Sequence, residues 1–125
     1  MVAGTDAGIS GIIWGFSLHD ELKLLVKAGL SNEEALASAT RLGAEWLGIG
    51  DKIGTIETGK FADIILLNEN PLEYINNTRN ISGVFVNRKW IDKNKIDTML
   101  SEVEGWNIAN KKNYNWKEIL KNLKN

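Results

Sequence analysis

Apolar positions fall at helical spacing early in the chain and at strand-like spacing later. Leu18, Leu22, Leu25 and Val26 recur every three or four residues, which predicts a helix from about Ser17 to Ala28. Ser17 is placed to cap it, Asp20 and Glu21 sit in its first turn, and Gly29 suits the left-handed residue that stops it. A second helix is predicted to start at once. Ser31-Asn32-Glu33-Glu34 reads as a capping box. Its apolar face is Ala35, Leu36, Ala39, Leu42, Gly43 and Trp46, and Gly48 ends it.

From Ile53 the texture changes to turn-rich, extended chain through Gly54 and Gly59. The run from Ala62 to Leu67 predicts a strand buried on both faces, and Ile81 to Val86 a further strand. Between them, Pro71 permits a short helix over Leu72 to Ile75, with Asn76-Asn77-Thr78 as loop. Asn87-Arg88-Lys89 turns into Trp90-Ile91 to close a hairpin. Ile96, Met99, Leu100 and Val103 predict a short amphipathic helix, and Trp116 to Leu123 a marginal one in a polar tail. At the other end, Met1 to Thr5 reads as a short buried strand, followed by a loop punctuated by Gly8, Gly11 and Gly15. The tryptophans at 14, 46 and 90 are expected in the core, and Trp106 and Trp116 as contact residues.

The 125 residues allow a sizeable core, and the apolar and charged fractions are those of a globular domain. Fifteen basic and 16 acidic residues leave a net charge of -1, so no general attraction to nucleic acid or an anionic membrane is expected. The absence of cysteine excludes disulfides, thiolate metal sites and a thiol nucleophile, and fits a cytoplasmic protein. No apolar run approaches the roughly 18–20 residues needed to span a bilayer. There is one histidine.

The strand–helix–helix order followed by strands switches character near Asp51, which predicts pieces of two domains. One β/α unit cannot cover both faces of its own strand. Within the first piece, Val2-Ala3-Gly4-Thr5-Asp6-Ala7-Gly8 places a carboxylate where an apolar run meets glycine. That pattern fits a buried strand ending at a functional mouth and, taken by itself, fits a turn aspartate bonded to its own backbone better. Asp63, inside a strand, reads as a structural carboxylate bonded to nearby backbone.

Four segments together resemble the C-terminal part of the amidohydrolase superfamily, nearest to its imidazolonepropionase and prolidase-like metal-dependent hydrolases. They are Ala3-Gly4-Thr5-Asp6-Ala7-Gly8, Ser17-Leu18-His19-Asp20-Glu21-Leu22, Ala28 to Leu36 running into Ala39-Thr40, and Ile53 to Asp63 followed by Asn70-Pro71-Leu72. The resemblance covers residues 3 to 92. It implies an α/β fold: the last β/α unit of a TIM barrel plus strands of a small composite β-sandwich. Residues 1–50 would be the barrel's C-terminal end, 51–92 the sandwich segment and 93–125 a helical, polar tail.

The resemblance further implies a hydrolase that cleaves a C–N bond (amide, cyclic amide or dipeptide) with metal-activated water. Asp6 would be both metal ligand and proton shuttle, with His19 and Thr5 as substrate contacts. A divalent metal, zinc first, would be the cofactor, and a small amide or dipeptide the substrate. The family's other ligands, a His-x-His pair, a bridging lysine or glutamate and two further histidines, have no counterpart among these residues. The chain is therefore expected to be a truncated piece that cannot bind metal alone. Its alternative role is an inactive structural or interaction segment that needs the N-terminal part of the barrel or a second copy. The family's Asn-Gly hairpin turn is Asn87-Arg88 here, which predicts a different loop type.

Overall fold

The computed structural model describes residues 1–8 and 12–111, which divide into two compact units, Met1–Asp92 and the unit beginning at Lys93. The first is mixed α/β: three short helices, a 3-10 helix and a small antiparallel sheet.

Helix α1 (Ser17–Lys27) starts where the heptad-like leucines require it and ends at Ala28, with Gly29 at φ 113 turning the chain away. Ser17 does not cap it. Its hydroxyl instead receives the Ile13 N–H (2.6 Å) and donates to the Ile13 carbonyl (2.8 Å), so the clasp holds the preceding turn. Helix α2 (Asn32–Ser38) begins at the predicted capping box. The Ser31 hydroxyl accepts from the Glu34 N–H (3.2 Å), and the Glu34 carboxylate accepts from the Ser31 N–H (2.8 Å). Those bonds favour the ionised carboxylate and hold Glu34 below its ordinary pKa.

The helix predicted to run from Ser31 to Gly48 is two helices. Thr40 leaves helical geometry (φ -131, ψ -97) while its hydroxyl donates to the Leu36 carbonyl, and α3 (Arg41–Trp46) restarts beyond it. A side-chain bond to the carbonyl four residues back competes with the backbone ladder in this way. Gly48, at φ 72, ends α3 as expected.

Strands β1 (Ile64–Leu67), β2 (Ile81–Val86) and β3 (Lys89–Asp92) form the sheet in that order. Ile64 pairs with Phe85 and Ile65 with Val84, with a register shift at Leu66/Leu67; Val84 pairs with Ile91 and Val86 with Lys89. Burial of β1 on both faces does not hold, since Ile65 and Leu66 are exposed where nothing in this unit covers them.

The turn from β2 to β3 keeps the two-residue form with Asn87 at φ 49 and Arg88 at φ 61. Both central residues at positive φ make it the turn that Asn-Gly ordinarily serves, so the different loop type predicted from Arg88 does not form. Asp63 accepts from the Asn87 N–H (3.4 Å), the backbone role expected of it. At Gly83 an added Cβ would lie 2.3 Å from the Trp90 ring, which lies across this position. The predicted helix over Leu72 to Ile75 is a turn instead. A 3-10 helix occupies Ile75–Arg79, where Tyr74 enters extended and the Thr78 hydroxyl donates to the Ile75 carbonyl.

The core lies between α1, α2 and the 3-10 helix. Leu22, Ala35 and Ile75 are buried, with Leu25, Val26, Leu36 and Ala39 packed around them. Tryptophans 14, 46 and 90 are not core. They are 75%, 77% and 51% exposed, because the small core is filled by aliphatic side chains and has no room for an indole.

The predicted strand from Met1 to Thr5 is absent: these residues carry no ladder, and only an isolated bridge appears at Ala7. A strand needs a neighbour to satisfy its backbone, and this segment has none among the described residues. The second unit contains α4 (Lys93–Asn110), longer than predicted, with Lys93 donating to Asp97 and Met99, Leu100, Val103 and Trp106 exposed. The predicted Trp116 to Leu123 helix lies outside the described residues. Among the described residues no helix is long and apolar enough to cross a membrane.

Candidate active-site carboxylate and its surroundings

The N-terminal segment is seated on the helices rather than in a sheet. The Ala3 N–H donates to the Ser38 carbonyl at the end of α2 (3.0 Å), and the Gly4 N–H donates to the Glu21 carboxylate on α1 (2.6 Å). Val2 lies over Gly43 of α3, where a Cβ on the glycine would come within 3.7 Å of its methyl. These anchors fix the chain just before Thr5-Asp6.

Asp6 follows with φ 51, a left-handed conformation that Asp tolerates better than most residues and that Gly8, at φ 115, shares two positions on. The Asp6 side chain is exposed and makes no hydrogen bond or ion pair with another described residue. The turn-aspartate alternative, in which the carboxylate bonds its own backbone, therefore finds no bond to support it. Thr5 is half-buried, and its hydroxyl makes no bond to Asp6.

His19 sits elsewhere, on the face of α1 that meets the 3-10 helix. Its Nδ1 lies 3.0 Å from the Thr78 hydroxyl oxygen. The Thr78 hydroxyl already spends its single hydrogen on the Ile75 carbonyl (2.9 Å), so Nδ1 must carry the proton in this bond and Nε2 is left the acceptor. Partial burial holds the imidazole below its ordinary pKa; the Arg79 guanidinium pushes the same way, and Asp20 opposes it. Asp20 and Arg79 are themselves paired at 2.6 Å, so His19 and this ion pair together join α1 to the 3-10 helix. The structure thus brings Asp6 and Thr5 together on one segment and engages His19 in a packing bond.

Among the described residues no three His, Cys, Asp or Glu side chains gather as a metal site. A divalent cation of the zinc class takes three or more such ligands, and Asp6 offers one. By itself this donor set does not fit a bound metal.

Trp14 is the neighbour of Gly8 that its sequence pattern did not flag. Its indole edge faces the Gly8 backbone, with Cζ2 3.2 Å from where a Cβ would stand. An aromatic residue six positions past a glycine carries no periodicity, so only the turn of the loop reveals the contact.

Residues 1–91 match the amidohydrolase family. The chain is 34% identical over 108 residues to a 5'-deoxyadenosine deaminase of Methanobrevibacter smithii, covering 76% of this chain and 25% of that protein. It is 39% identical over 85 residues to an imidazolonepropionase of Thermoplasma volcanium, covering 63% of this chain and 20% of that protein. In three dimensions it resembles a Xaa-Pro dipeptidase solved with bound methionine, at TM-score 0.63 and 34% identity, over 73% of this chain and 22% of the dipeptidase. The chain therefore spans a quarter or less of each of these three relatives. The match takes in the anchored Thr5-Asp6 segment, helices α1 to α3 and all but the last residue of the sheet, and this chain belongs to the amidohydrolase family.

Proposed function

We propose that this chain supplies the C-terminal part of a metal-dependent amidohydrolase that hydrolyses a C–N bond in a small amide, cyclic amide or dipeptide. The observation that carries the reading is Asp6: an exposed carboxylate without a partner among the described residues, held at the end of a segment whose Ala3 and Gly4 N–H groups bond to α2 and to the Glu21 side chain of α1. In this reading residues 1–50 close a (β/α)8 barrel, and 51–92 contribute strands to a small β-sandwich. The exposed Ile65 and Leu66 of β1 and the exposed Trp46 and Leu47 at the end of α3 would be covered by those neighbours. Extended apolar surface of this kind favours burial against another part of the protein.

The chemistry that a divalent metal, zinc by preference, would supply to a full ligand set is a bound water acidified to a pKa of about 7. Within a complete ligand set Asp6 would be one oxygen ligand, and its carboxylate would serve as the group that accepts a proton and returns it to a departing nitrogen. The left-handed Asp6 and Gly8 backbone turns the chain sharply at this point, which leaves the carboxylate free to face a substrate. Thr5 and His19 remain candidate substrate contacts, His19 through its Nε2 acceptor.

Loss of a proton-shuttling ligand costs about 10²- to 10⁴-fold in rate. Asp6→Asn in the complete hydrolase is expected to lower metal-dependent kcat by about that factor with the fold intact. Retained kcat would refute the role.

The single histidine favours a second statement about the chain on its own. Without other ligands it is an inactive structural or interaction segment, which assembles with the remainder of the barrel or with a second copy.

A further inference from the structure

Met1 to Thr5 has no ladder among the described residues, so its position rests on what it bonds to on the helices. Its backbone makes two such hydrogen bonds. The Ala3 N–H meets the Ser38 carbonyl, a main-chain acceptor that any residue at that position would offer. The Gly4 N–H instead meets a side chain, the Glu21 carboxylate, at 2.6 Å. Bonds from an N–H to an ionised acceptor are among the stronger ones a backbone makes. Of the two, only the second depends on the identity of a single residue.

Glu21 is itself firmly placed. It stands in α1 beside the buried Leu22, and the two residues before it tie the same turn to the 3-10 helix. His19 Nδ1 bonds the Thr78 hydroxyl oxygen (3.0 Å), and Asp20 pairs with Arg79 (2.6 Å). His19-Asp20-Glu21 thus grips Thr78 and Arg79 with its first two side chains and Gly4 with its third. Asp6 lies two residues beyond Gly4, which limits their Cα separation to about 7.6 Å. Among the described residues, the Gly4–Glu21 bond is the side-chain hydrogen bond nearest in sequence to Asp6.

Building on the hydrolase reading of Asp6, we propose that Glu21 is a positioning residue of that site. Its carboxylate acts through the backbone: it holds Gly4, and Gly4 holds the turn that presents Asp6. What the site needs from this side chain is an acceptor oxygen at glutamate's reach. Glutamine therefore serves in its place, and aspartate, one methylene shorter, does not.

The test is read by NMR on the 125-residue chain, without metal or substrate. The Asp6 amide should have the order parameter of rigid backbone, about 0.85, in wild type and in Glu21→Gln. In Glu21→Ala and Glu21→Asp it should fall below about 0.6. Gly4 amide exchange should speed up about 10-fold in the same two variants, the loss of one hydrogen bond. Amides of β2 should keep their wild-type values throughout, which a general loss of stability would not allow. Should Glu21→Ala fail to fold, Glu21→Gln against Glu21→Asp carries the same contrast. An Asp6 amide that stays ordered in Glu21→Asp, loosens equally in Glu21→Gln, or is already disordered in wild type overturns the proposal. Asp6→Asn in the complete hydrolase separates the two levels. If it is inactive while Glu21→Asp leaves the Asp6 amide ordered, the positioning role alone is lost. If it is active, the hydrolase reading beneath the proposal is removed, even where the NMR contrast holds.

Discussion

Two stretches carry the pattern of a short apolar strand, and they end differently. Strand β2 (Ile81–Val86) is hydrogen-bonded on both sides, to β1 and to β3, inside its own unit. Met1 to Thr5 is as apolar, yet it forms no ladder and leans on α1, α2 and α3 through two backbone bonds and Val2. Apolar patterning therefore says that a segment wants to be a strand; it does not say that a partner is within reach. The segment without a ladder among the described residues leads directly into Asp6.

The contrast predicts that the two stretches respond separately to damage. Ile75 is part of the core between α1, α2 and the 3-10 helix, and Ile75→Ala should cost about 3 kcal/mol in denaturant unfolding through the cavity it leaves. In native-state hydrogen exchange, the Ala3 and Gly4 amides should lose protection before those of β2. Simultaneous loss in both places would mean that the two regions are one cooperative block.

On the sheet side, Arg88 holds a left-handed conformation at φ 61, which costs a residue with a Cβ about 1 kcal/mol. Arg88→Gly should recover much of that, raise the thermal midpoint and slow exchange in β2 and β3, while leaving Ala3 and Gly4 unchanged. A lowered midpoint would show that the arginine side chain contributes more than its backbone costs.

The smallest effect is one of pH. His19 is harder to protonate folded than unfolded, so on acidification the unfolded chain takes up the proton first, from about pH 6.5 downward. Its contribution is complete above that pH and is lost as the pH falls through the lower folded value. A titration of unfolding free energy should show this loss in the wild type and a flatter curve in His19→Asn. Greater stability on acidification in that window would contradict the partial burial of His19 and its placement beside Arg79.

Legibility in the sequence followed the range of the forces. The capping box at Ser31, the start of α1, the end at Gly29, and β2 with its hairpin all depend on residues within a few positions, and each forms where the pattern put it. The break at Thr40 was hidden because a hydroxyl bond to Leu36 interrupts a helical stripe whose apolar positions continue unbroken. The turn at Asn87-Arg88 shows the reverse. Strand twist imposes the left-handed pair even though Arg88 does not favour it. Met1 to Thr5 and the tryptophans were misplaced for one reason: the sequence advertises apolar surface, and the covering is a matter of tertiary contact. Asp6 is legible as a candidate only through the three further segments that accompany its own, whereas the contact of Trp14 with Gly8 leaves no sequence signal.

The most direct test of the account is zinc binding, followed by calorimetry on three samples. The complete hydrolase should take up zinc, and Asp6→Asn should weaken that binding by at least about 100-fold, more than loss of a supporting residue costs. The 125-residue chain alone should bind none at micromolar zinc. Stoichiometric zinc on the isolated chain, or undiminished affinity in Asp6→Asn, would contradict the assignment of Asp6 as one ligand of a set completed elsewhere.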